Sequence, residues 1–223
     1  MKLSEDEYQL SLRIGFDPEV SRLIKVVTGC PLMRLLGYTE DFQTQEVDGL
    51  SVFVKDGDQA EMVIIKLLPK LIPLGYRAFW SERESNRLAK QYEVAFLKTT
   101  SQYEILHIKK TDGANYDIST EDIIAKLKDW ERFCQFTVVG AAGDWVALQF
   151  QQLPENLCQF AEAIYDLCPD SVEQGVGLRR EARYPELYKA ARELCPDLPE
   201  AKMGINLLAN ELYTSKYVFL WWD

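Results

Sequence analysis

The chain has one histidine and no C-x-x-C pair among its five cysteines. A lone histidine, His107, excludes sites built on two histidines, such as the H-E-x-x-H zinc helix. An odd number of cysteines without zinc-ligand spacing is typical of free buried thiols in a reducing compartment. The sequence therefore predicts no metal site and no structural disulfide for Cys30, Cys134, Cys158, Cys168 and Cys195.

Motifs that bind nucleotides or activate a serine nucleophile are also missing. The chain contains neither G-x-S-x-G nor G-x-x-x-x-G-K-[ST], so it has no support as a nucleophile-elbow hydrolase or a P-loop NTPase. Gly175-Val176-Gly177 is a fragment of a dinucleotide fingerprint, but it lacks the third glycine and a preceding predicted strand. We interpret it as a plain loop and expect no cofactor.

Positive charge and long apolar runs are scarce. The 25 basic residues against 35 acidic residues give a formal charge of −10 and a pI near 4.8, which disfavours binding to nucleic acid and to anionic lipid. The longest apolar stretch, residues 62–74, is interrupted by two lysines and two prolines and is too short to span a bilayer. Residues 1–7 are polar and acidic and do not resemble a signal peptide. We expect a soluble, cytoplasmic protein without membrane contact.

The sequence signals for helix caps, helices and strands agree best over residues 115–150. Ser119 followed by Asp122 predicts a capping box at the start of a helix. Apolar residues then recur at the spacing of one helical face: Ile123, Ile124, Leu127 and Trp130. Residues 136–139 and 145–150 are typical of strands, and the glycines at 140 and 143 separate them. The pattern predicts a helix followed by a β-hairpin.

The rest of the chain predicts an α/β protein of the mixed α+β kind, with a mixed sheet of about six strands covered by helices. Residues 1–48 are interpreted as an N-terminal helical arm that ends in a polar connector at 39–48, and residues 49–223 as the α/β body. The last strand, 217–222, is apolar on both faces, which predicts a place inside the sheet.

Several short motifs in the second half carry a family resemblance. They are Asn115-Tyr116-Asp117, Asp144-Trp145, Cys168-Pro169-Asp170 with Gln174-Gly175, and Leu220-Trp221-Trp222-Asp223. With these motifs the chain resembles the bacterial domain-of-unknown-function family 4253 over roughly residues 50–223, most strongly from 115 onwards. The resemblance implies a bacterial cytosolic α/β protein. It implies no catalytic residues.

Candidate catalytic residues are four carboxylates at the ends of predicted elements, together with His107. The four are Asp117, Asp144, Asp170 and Asp223. If they converge, they could hold Mg²⁺ or share a proton; the alternative is that each makes local hydrogen bonds at a turn or cap. A histidine side chain suits acid–base chemistry near neutral pH, but a structural or surface histidine is the simpler interpretation of His107.

Candidate binding residues are three clustered arginines: Arg179, Arg180 and Arg183. They form either an anion site or a solvated loop. The acidic charge and the aromatic content of 12% favour a protein-interaction module whose partner has a basic surface. An immunity-type role, in which such a module neutralises a basic toxin enzyme, is the finer form of this hypothesis. The rival hypothesis is a metal-assisted hydrolase that uses the four carboxylates.

Overall fold

The structure, a computed structural model, describes residues 2–39, 41–85 and 89–222; the side chains of 82–85 and 89–91 are not described. The described residues form seven strands in one mixed sheet of order β1-β2-β4-β3-β5-β6-β7. The strands are β1 (Met33–Tyr38), β2 (Thr44–Val54), β3 (Arg77–Ser85), β4 (Ala89–Leu97), β5 (Gln135–Ala141), β6 (Trp145–Gln152) and β7 (Tyr217–Trp221). The predicted fold class is confirmed.

The described residues also form eight α-helices, of which two precede β1 and six lie between strands. They are α1 (Glu5–Arg13), α2 (Pro18–Thr28), α3 (Gly57–Leu71), α4 (Glu104–Lys109), α5 (Thr120–Trp130), α6 (Leu157–Leu167), α7 (Pro185–Leu194) and α8 (Met203–Ser215). The capping box of Ser119 and Asp122 starts α5, as predicted. Within the described residues, none of these helices combines the length and the apolar content that crossing a bilayer requires.

The residues separate into two units, one of Met1–Lys110 with Val138–Gly143, the other of Thr111–Thr137 with Asp144–Asp223. In the first unit β1, β2, β4 and β3 are successive antiparallel neighbours, and β3 pairs in parallel with β5 through Trp80 and Gly140. Helix α3 packs on β3, and α2 packs on α3. The fully buried core of this unit includes Ile24, Leu35, Leu50, Leu67, Phe79 and Phe96.

The polar stretch 39–48 does not act as a connector. β2 begins at Thr44 and pairs with β1 from Tyr38 to Met33, so it crosses the expected boundary between residues 48 and 49. The first part of β2 is exposed and polar, and only its second part is buried. The polar composition of this stretch therefore suggested a linker, but from Thr44 onwards the backbone forms the outer half of a hairpin.

The second unit contains α5, β6, α6, α7, α8 and β7. Its aromatic centre is Phe160 of α6, whose ring lies 5.0 Å from that of Trp130 and 5.7 Å from that of Phe150. Helix α8 packs on both α6 and α7. Leu207 and Leu212 of α8 are buried, so α8 forms the middle of this helical layer.

The expected central position of the last strand is wrong. β7 is the terminal strand of the sheet, and its described strand neighbour is β6. Side chains cover the outer edge: the Trp221 N–H donates to Cys168 Sγ at 3.2 Å, and the Cys168 thiol donates to the Trp221 carbonyl at 3.1 Å. Ser215 Oγ makes the same pair of bonds with the backbone of Tyr217. These side chains hinder another strand from pairing with the edge.

The expectation of no structural disulfide is also wrong. Cys158 and Cys195 are bonded, although 37 positions separate them in the chain. Cys158 lies in the first turn of α6 and Cys195 ends α7. Their meeting depends on how the two helices pack, which cysteine spacing does not report. In the described part of the chain Cys30, Cys134 and Cys168 are free thiols.

A buried carboxylate on α1 gives the first unit a pH dependence. Glu7, 7% exposed, accepts hydrogen bonds from Lys25 Nζ at 2.6 Å and from the N–H groups of Leu32 at 2.9 Å and Ser4 at 2.8 Å. Burial raises its pKa, but these hydrogen bonds and the Lys25 charge together lower it from 4.5 to about 2. The ionised form therefore stabilises the fold.

Replacing Glu7 by glutamine should remove this pH dependence. Because the folded pKa lies below the unfolded value, the stabilisation is complete above pH 4.5 and is lost as the pH falls through about 2. We expect Glu7→Gln to cost about 2–3 kcal/mol at pH 7 and to flatten the stability profile between these pH values. Urea denaturation at several pH values measures this. If the stability of the variant changed with pH as that of the parent protein does, the prediction would be wrong.

Candidate functional site

Trp222, directly after β7, holds three segments of the second unit together. Its backbone N–H donates to the Asp144 carbonyl at 3.0 Å, and its indole Nε1 donates to the Leu167 carbonyl at the end of α6 at 2.9 Å. Its ring lies against Gly113, where an added Cβ would be 2.9 Å from the indole Cδ1. A side chain at position 113 would therefore displace the ring.

Gly113 begins a closed loop that presents a tyrosine. The backbone N–H and C=O of Gly113 both bond to Ile118, at 2.8 and 3.1 Å. Between them a turn of 3₁₀ helix, Ala114–Tyr116, ends at Asp117, whose φ of 56° is in the left-handed region. Tyr116 is 37% exposed, and its hydroxyl donates a hydrogen bond to Asp170.

Asp170 is a buried carboxylate, 4% exposed. It follows α6 and precedes a π-helical turn, Ser171–Gly175. Besides Tyr116, it accepts a hydrogen bond from Gln174 Nε2 at 2.9 Å. Asp170 and Gln174 are four positions apart, so the helical turn brings them together.

A second tyrosine lies beside this group. Tyr165 of α6 donates its hydroxyl to Glu173 Oε1 at 2.8 Å, and Glu173 and Asp166 are exposed. The charge of Glu173 acts on both tyrosines, so the two tyrosines belong to one surface. We call it the tyrosine–carboxylate surface; it comprises Tyr116, Tyr165, Asp166, Asp170 and Glu173.

The electrostatic potential of this surface is negative. The hydrogen bond to Asp170, then burial, then the charges of Asp170 and Glu173 raise the pKa of Tyr116 to about 12. The hydrogen bond to Glu173, burial and the charges of Glu173 and Asp166 raise the pKa of Tyr165. Both phenols are neutral donors at physiological pH, so neither supplies a base. The surface favours cations and repels anions.

Two concavities border the surface. One, of about 170 Å³, is lined by Asp170, Ser171, Gly175, Val176, Arg179, Leu208, Glu211, Tyr217, Val218, Phe219 and Trp221. In its wall Arg179 Nη1 lies 2.6 Å from Glu211 Oε2. The other, of about 420 Å³, is lined by Glu162, Tyr165, Asp166, Val172, Ala201, Lys202, Gly204 and Ile205. The second concavity is large enough for a lysine or arginine side chain.

Of the predicted carboxylates, only Asp170 belongs to this surface. Asp144 is exposed, and its backbone carbonyl binds Trp222; Asp117 is exposed at the end of its loop. Asp223 lies outside the described residues. His107 is half-buried in α4, in the first unit. Among the residues that the structure describes, no group of three or more His, Cys, Asp or Glu side chains could hold a metal ion.

The three arginines have different surroundings. Arg179 is paired with Glu211, and the guanidinium of Arg183 lies 5.7 Å from the ring centroid of Tyr184. Arg180 is exposed. Nearby, Arg192 pairs with Glu181 and Glu200. Carboxylates thus neutralise part of the basic cluster.

Tyr165 and Glu173 were not identified from the sequence. A tyrosine on a helix and a glutamate in a loop carry no spacing signal, because their hydrogen bond spans eight positions across the end of α6. Tyr116 and Gln174 were visible as motif residues, and the structure explains them by their hydrogen bonds to Asp170.

Comparison with known proteins identifies one family. The family model described as a domain of unknown function, DUF4253, matches residues 93–223, more than half of the chain. The matched range includes every residue of the tyrosine–carboxylate surface. No curated protein and no solved structure matches the chain.

Proposed function

The chain belongs to the DUF4253 family of unknown function, and we propose that it is a protein-interaction module that binds a basic partner through the tyrosine–carboxylate surface. One observation carries the proposal: two partly exposed tyrosines donate to carboxylates. Asp166 and Glu173, the exposed carboxylates, form no ion pair with any residue that the structure describes.

The charge of the chain supports a basic partner. The formal charge is −10, and Asp166, Asp170 and Glu173 place three carboxyl groups at this surface. Complementary charge accelerates association and rejects partners of the wrong sign. A lysine or arginine of the partner would pair with Glu173 or Asp166 without displacing a resident cation.

The tyrosines support a protein as the partner. A tyrosine buries a large ring and loses little side-chain entropy on binding, which explains why tyrosines are frequent at interface hot spots. Hydrogen bonds to Asp170 and Glu173 orient the rings before binding, which lowers the cost of ordering them. An arginine that enters the 420 Å³ concavity would meet the Tyr165 side chain and the Asp166 carboxylate, two groups that can bind a guanidinium. Lys202 in the same lining is already paired with Glu162.

The finer form of the proposal is an immunity-type role, in which the basic partner is a toxin enzyme that the module neutralises. It is supported by the acidic charge of the chain. The rival metal-assisted hydrolase has no comparable support, because the described side chains contain no three-ligand cluster.

The test compares two double charge reversals. Asp166→Lys with Glu173→Lys changes the surface, and Glu61→Lys with Glu193→Lys makes the same change of charge at exposed helix positions elsewhere. Partners are captured from cell extract, identified by mass spectrometry, and titrated against each variant at low and physiological salt. We expect a stoichiometric basic partner whose affinity falls about 10–100-fold for the first variant and less than about threefold for the control.

Two results would overturn the proposal. One is a partner that binds both variants equally. The other is the absence of a stoichiometric basic partner from capture with the unaltered protein. Because Glu173→Lys also breaks the bond to Tyr165, the milder pair Asp166→Asn and Glu173→Gln should show a smaller loss in the same direction.

A further inference from the structure

The disulfide between Cys158 and Cys195 attaches a segment with few fully buried residues to the second unit. We call residues 178–202 the strap; all of them are described, and only Ala191 and Cys195 are buried. Leu178 is 67% exposed and Tyr184 is 41% exposed. A segment with so little buried apolar surface opens at low free-energy cost unless something else holds it.

The ion pairs of Arg192 join parts of the strap to each other and do not attach the strap to the rest of the unit. Arg192 pairs with Glu181 at 2.8 Å and with Glu200 at 2.9 Å, and all three residues lie within the strap. These ion pairs are exposed and therefore weak.

The strap packs on the rest of the unit through α7, which contacts α8, and its ends and the disulfide add further points of attachment. Arg179 pairs with Glu211 of α8, and Lys202 pairs with Glu162 of α6; both pairs are at least partly exposed. Asn206 Nδ2 donates to the Cys195 carbonyl at 3.2 Å. The disulfide is the covalent link, and it joins the end of α7 to the first turn of α6.

We propose that Cys158–Cys195 is a redox-active pair whose reduction by a protein or small-molecule dithiol releases the strap. Arg179 belongs to the strap and lines the 170 Å³ cavity next to Asp170. Release of the strap therefore moves Arg179, one of the residues that line this cavity, and opens the cavity further. This proposal does not depend on the partner proposed above.

The exchange is a two-electron reduction. A thiolate of the dithiol attacks Sγ of Cys158, which is half-buried, whereas Cys195 is 2% exposed. The S–S bond breaks, and Cys195 leaves as a thiolate and takes up a proton. The second thiol of the reductant then attacks the mixed disulfide and releases Cys158. The products are two protein thiols and an oxidised dithiol.

The position of Cys158 assists the second step. It is the second residue of α6, after the N-cap Asn156, where the N-terminus of the helix stabilises a thiolate. Cys158 is therefore a good leaving group from the mixed disulfide.

The other thiols do not compete in this exchange. Burial, with the charge of Glu131, raises the pKa of Cys134 to about 11. Burial is also the main cause that raises the pKa of Cys168 to about 11. Both thiols are protonated at physiological pH and unreactive. Cys30 is half-buried in the first unit, and its thiol donates to the Thr28 carbonyl.

The test is amide hydrogen exchange with and without dithiothreitol, on the full chain carrying Cys30→Ser. We expect alkylation of the reduced, folded protein at Cys158 and Cys195, exchange over residues 178–202 that is faster by on the order of 100-fold, and unchanged protection in α6 and β6. Removal of the reductant and reoxidation should restore slow exchange.

A variant without the pair supplies the control. Cys158→Ser with Cys195→Ser should exchange over the strap as the reduced protein does, and dithiothreitol should not alter it. The proposal is overturned if the folded protein resists reduction, if reduction leaves the strap protected, or if the whole second unit unfolds on reduction. If the double variant fails to fold, the reduced and reoxidised parent protein decides the question.

Discussion

Replacement of Trp222 by alanine is expected to lower the free energy of unfolding by about 4 kcal/mol. The side chain is 3% exposed, so its removal leaves a large cavity beside Gly113 and the end of α6. It also removes the indole donor from the Leu167 carbonyl, which then lacks that hydrogen bond. Because a domain has a stability of roughly 5–15 kcal/mol, the variant should be close to unfolding. Urea denaturation followed by circular dichroism measures the loss.

The neighbouring tryptophan is a matched control. Trp221 is half-buried and lies in the wall of the 170 Å³ cavity, so Trp221→Ala should cost only about 1–2 kcal/mol. Trp222→Phe keeps most of the ring and loses the donor, and we expect an intermediate cost. If Trp221→Ala and Trp222→Ala were equally destabilising, Trp222 would not have the organising role that its contacts indicate.

Replacement of Lys109 by methionine should have a comparable effect in the first unit. Lys109 Nζ lies 2.8 Å from Glu93 Oε2, and the two side chains are 5% and 1% exposed. The ammonium group also lies 5.6 Å from the ring centroid of Phe79. Without Lys109 the Glu93 carboxylate keeps its desolvation cost and loses its counter-ion, and we expect a loss of about 3–5 kcal/mol in chemical denaturation.

A double variant distinguishes the cost of burying an unpaired charge from the loss of packing at these two positions. Lys109→Met with Glu93→Leu removes both charges, so its stability should lie within about 1 kcal/mol of the parent protein. Glu93 Oε1 has no hydrogen-bond partner among the described residues, which indicates that the pair is not fully compensated. A double variant as unstable as the single one would show that packing, and not the unpaired charge, causes the loss.

Local sequence signals determined those parts of the fold that depend on interactions between residues a few positions apart. Ser119 and Asp122 satisfy the first backbone groups of α5 within one turn, and the alternation of apolar residues in 145–150 suits a strand in any packed sheet. Composition determined the formal negative charge of the chain, which is a sum over its residues. These features could be predicted because their causes lie within a few positions of each other or in the residue counts alone.

Only the tertiary structure decided which distant residues meet. An apolar pattern on both faces of β7 predicts that both are covered, but Phe219 on one face is 37% exposed. The pattern also does not identify the neighbours of β7 in the plane of the sheet, where Cys168 and Ser215 bond to its outer edge. The Cys158–Cys195 bond depends on the packing of α6 and α7. Tyr116 reaches Asp170 across more than fifty positions. Such contacts depend on how whole elements pack, and that packing minimises the free energy of the entire chain, not of any one segment.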